Sequence, residues 1–216
     1  MKKKIAVVLS GSGVYDGSEI HEATLTLLAI ARQGADYECF APDVEQAHVI
    51  NHLTGEAMDE SRNVLVESAR IARGKIKALS AFDAAEFDAL IFPGGFGVAK
   101  NLCTFAFDGV ACKVNSEVRR TIETTHAMAK PIGALCISPV LITKVITGAE
   151  VTIGSDAETA GAIVQMAGKH VDTTHGEVVV DAHRKIVTTP CYMLNASIDQ
   201  IADGAENLVR TVLALV

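Results

Sequence analysis

Tryptophan is absent, and aromatic residues of all kinds make only 5% of the 216 positions. The core must therefore be built from aliphatic side chains, which are abundant in a chain that is 49% hydrophobic, a composition typical of α/β proteins. Positive charge is also in short supply. A formal net charge of -7, with no basic stripe, argues against nucleic acid or an anionic membrane as a partner. No apolar run reaches membrane-spanning length. Met1-Lys-Lys-Lys4 leads at once into the short apolar stretch Ile5 to Leu9, too brief for the apolar centre of a signal peptide, and nothing resembles an Arg- and Ser-rich transit segment. The five cysteines are odd in number and scattered, without a Cys-x-x-Cys pair, which argues against a disulfide framework or a zinc knuckle. Free thiols lead to the expectation of a reducing, cytoplasmic setting. Without repeats, linkers or low-complexity tracts, residues 1–216 read as one domain.

What is present is a sequence of short, fully apolar runs alternating with helical patterns, which predicts an α/β fold. Ile5 to Leu9 reads as a strand covered on both faces. Ser18 looks like the N-cap of a helix with an inner stripe of Ala23, Leu27 and Ile30, closed by Gly34. Glu19 and Glu22 fall in its first turn, where carboxylates are welcome for the helix dipole alone. Tyr37 to Ala41 and Phe87 to Phe92 are further strands. Residues 44–80 interrupt the alternation as an insertion, with a loop-like His48-to-Gly55 stretch and helical spacing from Asn63 to Ala72. His48 and His52 stand four apart but lack an acidic or cysteine partner at a fitting spacing, so no metal site is assigned. Asn115 to Met128 reads as a helix, Glu150 to Gly154 as a strand and Ala157 to Ala167 as a helix. His175 to Val180 and Lys185 to Thr189 form a hairpin with His183 at its tip, and a last helix runs from about Ser197 to Val216.

The chemistry centres on Ile132 to Leu141. A short buried strand ends at Cys136, and a helix with Pro139 in its first turn begins near Ile137. A cysteine there lies at the positive end of a helix dipole, which favours the thiolate, and at the carboxyl end of a parallel strand, where open sheets build their sites. An inert buried cysteine is the competing reading. Pro93-Gly-Gly95 follows another buried strand and can present backbone N–H groups to an anion, although an ordinary tight turn would look the same. Parallel strands bring their carboxyl ends to one edge. A crevice can thus gather Cys136 as nucleophile, Glu22 to hold or take its proton, and the N–H groups of Gly95 and Ile137 as oxyanion donors.

A strand followed by Pro-Gly-Gly, a Gly-x-x-Cys elbow and an upstream Glu resemble the ThiJ/PfpI branch of the class I glutamine-amidotransferase-like superfamily. Within it, four stretches resemble ElbB-like glyoxalases, also described as isoprenoid-biosynthesis proteins with an amidotransferase-like domain. They are Gly11 to Glu22, His48 to Glu56, Pro93 to Leu102 and Lys185 to Pro190. The resemblance implies a flavodoxin-like three-layer sandwich with a mostly parallel central sheet. It places the family's cysteine at Cys136, its carboxylate at Glu22 rather than Glu19, and its oxyanion donors at the backbone of Gly95 and Ile137. It also implies glutathione-independent conversion of methylglyoxal, or another small aldehyde, to the hydroxy acid, with no metal or other cofactor, in a homodimer. Two departures stand out. Ile137 follows the cysteine where relatives with a triad often have histidine, and Thr188-Thr-Pro-Cys-Tyr192 stands where glutaminases carry His-x-Glu. A thiol-based redox sensor and a non-catalytic amidotransferase-like partner therefore remain alternatives.

Overall fold

The computed structural model describes residues 2–216. In chain order the elements are β1 (Lys4–Val8), α1 (Ile20–Arg32), β2 (Asp36–Ala41), α2 (Val64–Ile71), β3 (Ile76–Ala78), β4 (Ala89–Phe92), α3 (Phe105–Asp108), α4 (Ser116–Ala127), β5 (Ile132–Leu135), α5 (Ser138–Val145), β6 (Glu150–Val151), α6 (Ala157–Gln165), β7 (Lys169–His170), β8 (Val179–Asp181), β9 (Ile186–Thr189) and α7 (Ile198–Ala214). Seven strands form one sheet in the order β3-β2-β1-β4-β5-β9-β8, parallel throughout except for the β8–β9 pair. The expected mostly parallel sandwich is what forms.

Strand alternation sends the core to both faces. Ile5, Val7, Ile91 and Val187 pack under α1 and α7. Ala6, Val8, Leu90, Phe92, Ile132 and Ala134 face the opposite layer, which includes α4 and α5. A side chain on both sides of every central strand explains why the runs read as continuously apolar. Helix α7 comes close enough that a Cβ on Gly133 would lie 2.9 Å from Leu208. Its start is fixed by a capping box between Ser197 and Gln200.

Several expected elements are corrected. Helix α1 is capped by Glu19, whose Oε2 accepts from the Glu22 N–H; the Ser18 hydroxyl is occupied with the Ser10 N–H at 2.8 Å. The stretch 44–80 is only partly an excursion, because α2 and β3 resume the alternation and β3 becomes the edge strand beside β2. The excursion proper is held by the isolated bridges Glu45–Asn63 and Ile50–Ala57. Its histidines do not share a helical face: His48 meets the Phe107 ring edge-on, and His52 stacks near Tyr15 with Nε2 3.8 Å from Asp16. The strand expected at Glu150 to Gly154 shortens to β6 and leaves the main sheet to pair with β7. The hairpin strand before His183 begins only at Val179.

Strand order reverses across β1 and β4, the place where open α/β sheets leave a crevice at the carboxyl ends of their strands. The loops after β1, β4, β5 and β9 meet there.

Candidate active site

Cys136 occupies the turn between β5 and α5 with φ 58°, a left-handed conformation that non-glycine residues adopt at a cost of roughly 1–3 kcal/mol. Neighbouring contacts enforce it. The Cys136 N–H donates to the Thr189 carbonyl at the end of β9 (3.0 Å), and the Ser138 hydroxyl donates to the Pro93 carbonyl at the end of β4 (2.8 Å). The residue is 7% exposed and contributes to the wall of a cavity of about 340 Å³, shared with Glu19, Gly95, Phe96, Ile137 and Tyr192. The backbone N–H groups of Gly95 and Ile137 both reach the sulfur.

Glu22 stands beside it from the first turn of α1, with no exposure to solvent. Its Oε2 accepts the Gly94 N–H (2.9 Å), its Oε1 accepts the Tyr192 N–H (3.1 Å), and the carboxyl lies beside the Cys136 thiol. Gly94 is the spacer. A Cβ there would lie 2.4 Å from Cys136 Cβ and 2.5 Å from Glu22 Oε2, so any side chain would push the thiol and the carboxyl apart. Gly95, at φ 103°, takes a conformation open to glycine and turns its N–H toward the sulfur.

Burial, with the nearby Glu19 charge adding to it, pushes the Glu22 carboxyl up to about 8, against the lowering effect of its N–H and thiol donors. Burial, then repulsion from Glu22, likewise pushes the Cys136 thiol up. This corrects the expectation of a favoured thiolate: desolvation outweighs the α5 dipole and two N–H donors. Near neutral pH the thiol keeps its proton and the carboxyl is mostly protonated, with an ionised fraction that grows toward pH 8.

The structure thus brings together all four residues singled out from the sequence. Glu19 caps α1 and lines the cavity rather than meeting the sulfur. Two residues were missed. Tyr192 lines the cavity, and its hydroxyl is 2.9 Å from Nδ1 of His21 on α1. The available signal was position: Tyr192 closes the Thr188-to-Tyr192 stretch at a strand's carboxyl end, and His21 adjoins Glu22. Among the described residues, no group of three or more His, Cys, Asp and Glu side chains could hold a metal ion. All five cysteines are free thiols.

No protein-family model matches the chain. It is 51% identical over 224 residues to the ES1 protein homolog, mitochondrial, of Rattus norvegicus, covering 99% of this chain and 84% of that one. It is 52% identical over 222 residues to the human glutamine amidotransferase-like class 1 domain-containing protein 3, mitochondrial, covering 98% and 83%. An isoprenoid biosynthesis protein with amidotransferase-like domain from Ehrlichia chaffeensis superposes with a TM-score of 0.93 at 38% identity, over 99% of both chains. Glyoxalase III from Candida albicans shares the fold alone, with a TM-score of 0.64 at 14% identity. The mitochondrial names of the rat and human relatives overturn the cytoplasmic expectation. Free thiols report the redox state around a chain, not which organelle encloses it. With a cysteine elbow, a glycine turn and a buried glutamate meeting on this sheet, and with relatives of this identity along its whole length, the chain belongs to the family of the ES1 and glutamine amidotransferase-like class 1 domain-containing proteins.

Proposed function

We propose that this protein is a glutathione-independent glyoxalase-type enzyme that converts methylglyoxal, or a related small 2-oxoaldehyde, to the hydroxy acid through Cys136. The observation that carries the reading is the adjacent Cys136–Glu22 pair, buried at the wall of a small cavity with the Gly95 and Ile137 N–H groups beside the sulfur.

The steps at the sulfur and at C1 can be assigned to groups in place. Ionised Glu22 takes the thiol proton as the sulfur attacks the aldehyde carbon, and the oxygen that gains charge is stabilised by the Gly95 and Ile137 N–H groups. The proton returns to that oxygen, giving a hemithioacetal. Glu22 then removes the hydrogen from C1, and the electron pair moves into a C1–C2 double bond while the C2 carbonyl becomes a hydroxyl. Loss of the C1 hydroxyl proton and protonation at C2 leave a thioester of the 2-hydroxy acid. C1 is oxidised and C2 reduced, so no external oxidant or reductant enters. Water hydrolyses the thioester and frees the thiol. A carboxyl near 8 suits this double duty, because it can both give and take a proton close to neutral pH.

Charge at the cavity supports a neutral substrate. Glu19 and Glu158 contribute to its lining, and among the described lining residues none is Lys, Arg or His. A phosphorylated or carboxylated aldehyde would find no counter-charge. The redox-sensor alternative has less support, since oxidation follows thiolate character and exposure and Cys136 has little of either.

The test is lactate formation from methylglyoxal by wild type, Cys136→Ala and Glu22→Gln. Turnover by wild type and its loss in both variants is expected. Equal lactate from wild type and Cys136→Ala would sink the proposal. If instead no chain turns over and mild peroxide oxidises Cys136 selectively, the sensor reading replaces it.

A further inference from the structure

The steps above leave the C2 oxygen without a proton donor, and the elbow has no neighbouring histidine to provide one. Around the cavity, Tyr192 and Thr159 bring the side-chain hydroxyls among the described lining residues. Thr159 belongs to α6, whereas Tyr192 is tied to the reacting pair through its own backbone, its N–H lying on Glu22 Oε1 at 3.1 Å. Its side chain is held at the far end as well, with the hydroxyl 2.9 Å from His21 Nδ1 and the rings tilted at a centroid distance of 6.0 Å. The strain at the preceding residue points the same way. Cys191 has φ 41°, in a short turn that directs residues 192 and 193 into the cavity wall just past the end of β9.

We infer that the Tyr192 hydroxyl is a catalytic residue that donates a proton to the C2 oxygen of the Cys136-bound substrate as Glu22 removes the C1 hydrogen, and that His21 is the positioning residue that holds and reprotonates it. This assignment rests on the glyoxalase-type reading and deepens it. As the C1 hydrogen leaves to Glu22, the C2=O π pair takes the Tyr192 proton, giving a neutral enediol in place of an enediolate. The phenolate left behind regains its proton from His21, whose exposed edge meets solvent. Burial, then the Glu19 and Glu22 charges, hold the phenol above its ordinary range, so it is a donor at the start of each cycle. A tyrosine thereby does the work that a histidine beside the cysteine would do, reached from β9 and α1 instead of α5.

The test uses the full chain with methylglyoxal, following lactate and, separately, the rate at which iodoacetamide caps Cys136. Tyr192→Phe keeps the ring in the wall and the N–H on Glu22, so capping should match wild type. Its kcat and kcat/KM should fall together by about 10²-fold, the lower end of what general acid–base help contributes. His21→Leu should lose about tenfold, as for one hydrogen bond. His21→Asn, whose amide can hold the hydroxyl but cannot pass a proton to it, should recover little of that loss, whereas a merely structural role for the imidazole would be rescued. Undiminished kcat in Tyr192→Phe overturns the assignment while leaving the proposed function standing. Absence of lactate from the wild type overturns both.

Discussion

Glu22 and Glu38 are the same residue type shifted in opposite directions, and the contrast separates a candidate site from a surface groove. Glu38 lies on β2 beside the larger cavity at the sheet edge, about 650 Å³, lined by Lys2, Asp36, Lys75 and Lys77 among others. Burial acts to raise it, but Lys4 at 2.7 Å and Lys77 outweigh burial and hold it below its ordinary value. Lys2 is likewise matched with Asp36 at 2.5 Å. The ion pairs there stabilise charges already present. Among the described residues, Glu22 has no cation beside it. Its partners are two peptide N–H groups, a thiol and the repelling Glu19, and its carboxyl rises to about 8. The larger cavity is therefore the quieter one. A carboxylate matched by lysines stays ionised and does little chemistry near neutral pH, whereas one denied a counter-ion becomes able to exchange a proton.

Replacing the thiol should have the largest effect. Cys136→Ala is expected to abolish lactate formation, since the covalent step has no other nucleophile. Gly94→Ala should come close behind, with turnover lost while the fold survives, because the added methyl separates Cys136 from Glu22; circular dichroism alongside the lactate assay distinguishes this from unfolding.

Glu22→Gln should cost about 10²–10⁴ in turnover and also change the pH dependence of stability. The folded-state carboxyl sits above its unfolded value of 4.5, so the folded chain binds more protons between there and about 8. Stability contributed by the protonated group is complete at low pH and is lost as pH rises through that window. Denaturant melts of wild type should therefore lose on the order of 3 kcal/mol between pH 5 and 8, a slope that Glu22→Gln removes. Turnover by wild type should rise over the same range as Glu22 gains its basic form. A flat stability profile in wild type would break the comparison.

Glu38→Gln serves as the counterpart. Its effect on stability should stay within about 1 kcal/mol, as for an exposed ion pair, with the opposite sign: the contribution is present above about pH 4.5 and fades as pH falls below it. Lactate formation should be unchanged. The smallest effect is expected from Glu158→Gln at the cavity wall. It should raise kcat/KM for an anionic 2-oxoaldehyde such as 4,5-dioxopentanoate about threefold relative to methylglyoxal, the scale of one screened charge. No change in that ratio would mean that Glu158 does not filter substrates.

Much of the site could be read along the chain because its parts follow strands. Cys136, Gly95 and Ile137 sit at the ends of short apolar runs, and parallel strands bring such ends to one edge. Glu22 was accessible only through its register on α1. A first-turn glutamate looks the same in sequence whether it caps the helix, as Glu19 does, or points inward. His21 and Tyr192 are 171 positions apart and meet only because α1 crosses the end of β9. The polarity of the sulfur's surroundings was misjudged for a related reason. A helix dipole is a local property that can be anticipated from Pro139 and the run after it, but desolvation depends on every element packed around the turn.

The same division holds for the fold. Periodicity and composition determine an aliphatic, mostly parallel α/β sandwich, because doubly covered strands and amphipathic helices leave local patterns that need no partner to be recognised. Strand order, the move of β6 out of the main sheet, and the return of β3 to it were decided by tertiary packing, since pairing between distant segments leaves no mark on either one alone. So too was the protonation of Glu22. The residue comes from the sequence, but its proton affinity comes from burial away from solvent with no cation among its described neighbours, and only the folded chain can arrange both.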